Sequence, residues 1–497
     1  MKKQSLWIRF LVLAMVICMM IPTFVACTTE DDSDISETDD NSKTTGSQET
    51  ETQFQSDSLN EDLKFNTSVR VLGDQTYRYQ VYCFEDEIEG DPIKEVVYKR
   101  SMTVEDRLGI EIIMDTASAG AWGGATKFAQ EVETAIDTDP YDALACYNLT
   151  PYMLAQKGFC ANLYNDDSYL DLTAPWWPSA LLDEILVNDT LYAVSESNDW
   201  GLLHNMMAMF FNVEMLEARN MESPYDLVAN NEWTIDKLSE MIKDTYEDKN
   251  GDSKRDKDDI YGFVNATTAK RDAWFFALGY QYSDVQNNEI VSLLDGDHIQ
   301  TYIEKMVEFY TDDTMLSDES KYGGEGQDIM FVNQKAYFYS SGVFMAADIK
   351  HRELTFEYGV VPLPKLNSQQ ERYYTHLSNT YDTWCVSVNA RDMALSSAFL
   401  ECMASESYRQ IGPTYFDTYV KLRYASNEKL GPMYDLVRDS VTFDLIYLYS
   451  LAYSTNPKDS VKSCITNPEK NSWGSLYASN VGTWDSIFAD LVGTYAK

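Results

Sequence analysis

Apolar and polar positions alternate through "SVRVLGD" (68–74) and "YQVYCFED" (79–86), the two-residue period of strands with one inward face. Between residues 94 and 115 the period lengthens to that of a helix in "KEVVYKRSMTVEDRL". It then shortens again in "GIEIIMD", which predicts a strand over Ile110 to Met114. "FAQEVETAID" reads as a second helix and "YDALACYN" as another strand. Strands alternating with helices in this way predict a parallel sheet with helices on its faces. In open sheets of that kind ligands sit beyond the carboxyl ends of strands, which points at Cys83 to Glu87, Glu85 among them, and at Tyr147 and Asn148.

Further along, "LYAVSESNDWGLLHNMMAMFFN" (191–212) reads as strands through which the chain crosses into a second lobe. Helical patterns dominate from Trp233 to Asp312. In "WTIDKLSEMIKDTYE", Thr234 is the expected N-cap and Ile235, Leu238, Ile242 and Tyr246 form the apolar face. "QDIMFVNQKAYFYSSGVFMAADI" predicts a helix end, a strand and a helix start, and "FEYGVVPLPKLN" and "YDTWCVSVNA" are further strands. "ALSSAFLECMAS" is expected to be an amphipathic helix, and "WGSLYASNVGTWDSIFADLVGTY" closes the chain as a helix. No repeat of 20 to 50 residues is present.

Ahead of the folded part, Lys2, Lys3 and Arg9 precede the apolar run "FLVLAMVICMMIPTFVAC", which has the form of a secretory leader and is short for a membrane span. Its end at Cys27 is similar to a bacterial lipobox, so Cys27 is the expected lipidation site; an ordinary cleaved leader is the alternative. Residues 28 to 62 hold twelve acidic side chains and one lysine, a composition that cannot bury enough surface to order itself and predicts a tether. The whole chain carries a formal charge of −41, which argues against a nucleic-acid partner, because phosphates require a basic surface. Six cysteines beyond Cys27 are widely spaced with no CxxC pair, and the four histidines show no HExxH spacing, so a zinc centre has no support.

One stretch carries metal-type chemistry. In "DKNGDSKRDKDD", oxygen side chains fall on Asp248, Asn250, Asp252, Asp256 and Asp259, positions 1, 3, 5, 9 and 12 of a calcium loop, with the Lys254 carbonyl at position 7. Ser253 replaces the usual glycine at position 6, and Asp259 replaces the bidentate glutamate at position 12. Calcium as a structural brace is the reading, with a solvated acidic turn as the alternative. "IYGF" follows at once, so there is no second flanking helix of the kind a calcium sensor opens.

The order "FFNVEMLEARNMESPYDLV", "EWTIDKLSEMIKDTYEDKNGDSKRDKDDIYGF", "FVNQKAYF", "YGVVPLP" and "TWCVSVNA" resembles the bacterial extracellular solute-binding proteins of family 1, which serve ABC importers. That resemblance implies an α/β, two-lobed, type II periplasmic-binding-protein fold with a hinged cleft. On this basis residues 1–26 are a leader and 27–64 a tether. The first lobe takes 65–207 and 325–380, and the second, helix-rich lobe takes 208–324 and 381–497. The hinge is expected near Ala208 to Asn212 and Thr380 to Asn389. The implied partners are an oligosaccharide or other small polar solute, ABC permease subunits, and a membrane reached through the lipid anchor. The implied setting is the outer face of the cell membrane, with the chain acting as a monomer.

A saccharide cleft combines aromatic platforms with hydrogen-bonding side chains. Candidates by position are Glu85, Trp122, Tyr147, Asn148, Trp200, Trp274, Tyr381 and Trp384, while Trp176 and Trp177 in "APWWP" read as structural packing. Two other classes remain open: a surface glycoside hydrolase, which needs two carboxylates about 5 to 10 Å apart, and a glycan-binding adhesin without a closing cleft. No GxSxG nucleophile signature is present.

Overall fold

The computed structural model describes residues 55–265, 271–294, 297–311, 314–316, 328–347, 354–421 and 428–496. The leader, Cys27 and most of the acidic segment lie outside the described residues. The first sheet opens with β1 (Thr67–Gly73), β2 (Ile110–Thr116) and β3 (Ala143–Tyr147). Strand β1 lies between the other two and pairs parallel with both, in register from Thr67 with Ile110 and from Val71 with Ala143. The crossover helix Pro92–Leu108 has clear sequence causes. The Asp91 side chain accepts from the Ile93 and Lys94 amides, Pro92 occupies the first turn, and Gly109 ends the helix at φ 63°.

The expected strand over 79–86 is instead two short 3₁₀ turns, Arg78–Gln80 and Glu85–Glu87. Arg78 holds both oxygens of Glu87, at 2.6 and 3.1 Å, and Glu87 also accepts from the Phe84 amide, so the segment closes on itself rather than extending.

The second sheet is built from β4 (Met207–Asn212), β5 (Tyr261–Asn265), β8 (Met315–Leu316), β9 (Ala336–Gly342) and β10 (Tyr358–Pro362), in the order β10-β4-β9-β5-β8. A separate hairpin joins β6 (Ser283–Gln286) and β7 (Glu289–Ser292). Strand β4 is antiparallel to both its neighbours, and β5 is parallel to β9 and β8. Ahead of β4, residues read as strand form the short helix Trp200–Asn205 instead, started by the Asp199 side chain on the Leu202 amide. Helix Ile235–Ile242 begins at Thr234 as expected but ends before Tyr246.

Strand β11 (Asp382–Cys385) returns to the first sheet, antiparallel to β3, with Asp382 opposite Tyr147. This corrects the expected division of lobes. Strands β9 and β10, assigned to the first lobe with 325–380, pair with β4 in the second sheet, and β11, assigned to the second, completes the first. Helix Met393–Glu406 follows β11 and packs on helix Pro92–Leu108 and β1. Pairing partners are fixed by which strand edges remain open, information that periodicity along one segment does not contain.

The chain crosses between the sheets where Asn205–Met207 lies beside His376–Ser378. The Met207 amide donates to the His376 carbonyl over 3.0 Å, and the Ser378 amide to the Asn205 carbonyl over 2.8 Å. The expected hinge segments are therefore displaced. Ala208–Asn212 is paired on both sides within the second sheet, and Asp382–Cys385 belongs to the first.

Two other expectations change. The folded part starts earlier than residue 65: Asp57 pairs with Arg107 at 3.0 Å, Ser58 donates to Glu401 at 2.8 Å, and Leu59 is buried. Helix Met393–Glu406 is buried on every side from Leu395 onward rather than amphipathic. The six cysteines are buried free thiols. Trp176 and Trp177 are buried as packing residues. Among the described residues no helix is long and apolar enough to cross a membrane.

Candidate ligand-binding site

The carboxyl edge of the first sheet is organised by Asp74, the residue after β1. One of its carboxylate oxygens accepts from the Thr76 and Tyr77 amides at 2.7 and 3.2 Å, and the other from the Ala121 amide at 2.8 Å. Gly120 makes this approach possible, since a Cβ there would lie 2.0 Å from the Asp74 carboxylate. The bond fixes the start of helix Ala121–Ala135 against β1 and leaves Trp122 at the rim with 69% of its surface exposed.

Beside it, Tyr77 stacks on Tyr147 with ring centroids 6.3 Å apart, and Tyr79 meets Trp200 edge-on at 5.1 Å. The aromatic series continues toward the second sheet. Trp200 lies 6.4 Å from His204, His204 lies 5.4 Å from Phe344, and His204 Nδ1 is 3.2 Å from the Tyr415 hydroxyl. Phe344 opens the short helix Phe344–Ala347 after β9, so this series joins the edges of both sheets next to the crossing segments. The loops after β5 (266–270) and β8 (317–327), and residues 348–353, lie outside the described residues.

Near the aromatics Gln80, Asp199 and Asp382 are buried polar side chains, and Asn148 is buried beside Asn379 and Tyr381. Asn148 follows β3; its backbone amide donates to the Tyr381 carbonyl over 2.9 Å, and its side chain donates to Asn379 over 3.0 Å. Burial first, and then the charge of Glu196, pushes the Asp199 carboxyl up to about 8. Burial, followed by the charges of Asp74 and Asp199, pushes Asp382 well above the usual carboxylate range. Such a site offers stacking faces and hydrogen-bond acceptors to a polar solute.

The structure gathers Trp122, Tyr147, Asn148, Trp200 and Tyr381 at this edge and places the other candidates elsewhere. Trp384 is buried in the first lobe, with its indole N–H on Glu196 at 2.8 Å and its ring edge-on to Phe399. Trp274 is buried between Phe263 and Phe309. Glu85 is exposed in its 3₁₀ turn, where its neighbour Glu87 makes the ionic contact. Nothing in the sequence pattern singles out Tyr79, Gln80, Asp199, His204, Phe344 and Asp382 as ligand candidates. The one local signal was "SSGVF", in which Gly342 ends a strand and an aromatic follows within two residues; a Cβ on Gly342 would meet the Phe344 ring at 2.6 Å.

The 248–259 loop is a separate feature. Asp248 accepts from the Gly251 and Ser253 amides at 2.6 and 2.9 Å, and Ser253 sits at φ 61° in the turn that normally takes glycine. The second half does not close around one point. Asp259 is fully buried and accepts from the Tyr246 hydroxyl at 2.9 Å and the Lys249 amide at 3.1 Å. Asn250, Asp252 and Asp256 each accept from an amide two residues on, and Lys254 is one of those donors. Among the described residues no three His, Cys, Asp or Glu side chains gather closely enough to hold a metal ion.

No family model matches the chain, and no curated protein matches it in sequence. Its fold does match solved structures. The maltose-bound MalE3 protein of T. maritima superposes with a TM-score of 0.50 at 14% identity, covering 86% of this chain and 99% of that one. The apo form of RafE from Streptococcus pneumoniae superposes with a TM-score of 0.50 at 12% identity, covering 86% and 97%. The chain has the mixed α/β, two-lobed periplasmic-binding-protein fold of these proteins.

Proposed function

We propose that this chain captures a small carbohydrate, an oligosaccharide above all, and delivers it to an ABC importer permease without catalysing a reaction of its own. The observation that carries this reading is the aromatic series Tyr79–Trp200–His204–Phe344, which runs between the edges of the two sheets beside buried polar side chains. Sugar rings stack on aromatic faces and present hydroxyls to polar groups, so this is the combination a saccharide requires. Maltose is bound by MalE3, a protein of the same fold. The paired crossing segments at Asn205–Met207 and His376–Ser378 suit lobe closure by hinge bending.

The leader-like N-terminus and Cys27 support a lipid anchor on the outer face of the membrane, with the acidic segment as spacer. Loss of membrane retention in Cys27→Ser would follow from that anchor. Calcium at the 248–259 loop is proposed only as a brace, supported by the turn at Asp248 to Ser253.

The deciding experiment is calorimetry against a panel of neutral and charged oligosaccharides, with a product assay on every hit. Reversible binding with no change in the sugar is expected. Steady release of shorter sugars would make the protein a hydrolase, and no binding to any saccharide would end the carbohydrate reading.

A further inference from the structure

Charge is unevenly spread over this chain. It holds 39 basic and 80 acidic residues, yet three bases, Arg271, Lys458 and Lys462, line one pocket with a single carboxyl, Asp272. The pocket lies where the start of helix Asp272–Ala277 meets helices Asp297–Tyr310 and Pro457–Thr466. Lys458, Val461, Lys462 and Ile465 occupy positions i, i+3, i+4 and i+7 of the last helix, so both lysines belong to the stripe turned toward the pocket. Like charges one turn apart on one face oppose each other, which favours a negative charge set between them.

The acids nearby do not fill that role. Asp272 makes no ion pair among the described residues and accepts instead from the Tyr447 hydroxyl over 3.3 Å. Burial raises its carboxyl, against the pull of the Lys458 and Lys462 charges. Lys458 reaches only Asp459, over 3.5 Å, and 64% of that acid's side chain is exposed, so solvent screens the pair. The Lys462 ammonium makes no ion pair or hydrogen bond among the described residues.

The walls add neutral donors. Tyr282 and Tyr302 are 3 and 2% exposed and pack on Phe275, with ring centroids 4.2 and 4.9 Å from it. Both line the pocket, and neither hydroxyl makes a hydrogen bond among the described residues. Buried hydroxyls ordinarily have a partner. The Arg271 guanidinium lies over the Tyr310 ring, 5.0 Å from its centroid, which holds the charge at the pocket wall. The space enclosed is about 20 Å³, room for one small polar group and too little for a sugar ring.

We propose that this pocket binds a small oxyanion, a carboxylate, sulfate or phosphate group, with Arg271, Lys458 and Lys462 supplying the charge and the Tyr282 and Tyr302 hydroxyls donating hydrogen bonds. The site stands on its own residues. Only an anion carried by the captured saccharide would rest on the carbohydrate reading.

The test is calorimetry on the whole protein at fixed ionic strength, with sodium sulfate, sodium phosphate, a galacturonate trisaccharide and its fully methyl-esterified, neutral counterpart. At least one anion is expected to bind saturably, to weaken about tenfold or more in Lys462→Gln, and to keep its affinity in Lys462→Arg. Tyr302→Phe removes one donor and is expected to weaken the same anion about threefold or more, a second reading should Lys462→Gln fail to fold by circular dichroism. Binding of galacturonate but not of the free ions, lost on esterification, assigns the anion to the solute. Binding of sulfate or phosphate alone assigns it to a free ion. No binding of any anion, or anion binding equal in the parent, Lys462→Gln and Tyr302→Phe, overturns the proposal. An ester bound as tightly as the acid, with neither free ion bound, overturns it too while upholding carbohydrate capture.

Discussion

The side-chain amide of Asn148, at the end of β3, donates to Oδ1 of Asn379 over 3.0 Å, tying the first sheet to the second crossing segment. Asn379 in turn donates to the Tyr447 hydroxyl over 2.8 Å, and Tyr447 donates to Asp272 over 3.3 Å at the start of helix Asp272–Ala277. Removing the middle member leaves Asn148 and Tyr447, both buried, without these partners. Asn379→Ala is expected to lower the unfolding free energy by about 1–3 kcal/mol. A double-mutant cycle with Tyr447→Phe should give a coupling of at least ~0.5 kcal/mol. Strictly additive denaturation midpoints would show that the chain of hydrogen bonds carries no shared energy.

Buried and rim aromatics should separate stability from binding. Trp384→Ala removes a packed ring and leaves Glu196 without its indole donor, so it is expected to cost about 3–5 kcal/mol of stability. Tyr79→Ala at the exposed rim is expected to cost less than about 1 kcal/mol in stability, yet to weaken saccharide affinity roughly tenfold. Paired melting curves and titrations check this, and a binding loss confined to Trp384→Ala would relocate the cleft.

Stability should fall as pH rises through the titration of Glu401. This carboxyl is held among Ser58, Trp177 and the Asp171 amide, and burial, the dominant cause, raises it from 4.5 to about 7 despite those donors. A folded-state value above the unfolded one means the folded state binds the extra proton. The contribution is complete below about pH 4.5 and is lost as pH climbs through 7, a change of roughly 3 kcal/mol at most. The melting difference between the parent and Glu401→Gln is therefore expected to favour the parent at pH 5 and to shrink by pH 8. A constant difference across that range would contradict the assignment.

For the 248–259 loop, a calcium brace predicts a melting temperature that rises with calcium and falls with chelator, because an ion bound only by the folded state stabilises it by mass action. Asp248→Ala should abolish the response. A curve indifferent to chelator would leave the turn to its own hydrogen bonds, chiefly those from Gly251 and Ser253 to Asp248.

Local chemistry was legible in the chain by itself. The helical period from Lys94 to Leu108 marked the first crossover helix, the alternation in β1 and β2 set their faces, and Thr234 marked a helix start, because caps and periodicity act within a few residues. The order of landmarks also anticipated the two-lobed fold. Tertiary structure alone decided which strand joined which sheet. Strands β9 and β10 fill the open edges of β4, and β11 crosses back to β3, choices set by competition among strand edges far apart in sequence. It also decided where each tryptophan packs. Trp200 and Trp384 are both aromatic residues near strand ends in the sequence, but Trp384 points inward because Glu196 and Phe399, brought from other segments, complete its pocket. The buried polar groups were equally hidden. Gln80, Asn148, Asp199 and Asp382 come from four separate segments, and their unpaired oxygens arise only once burial has removed the water that would otherwise satisfy them.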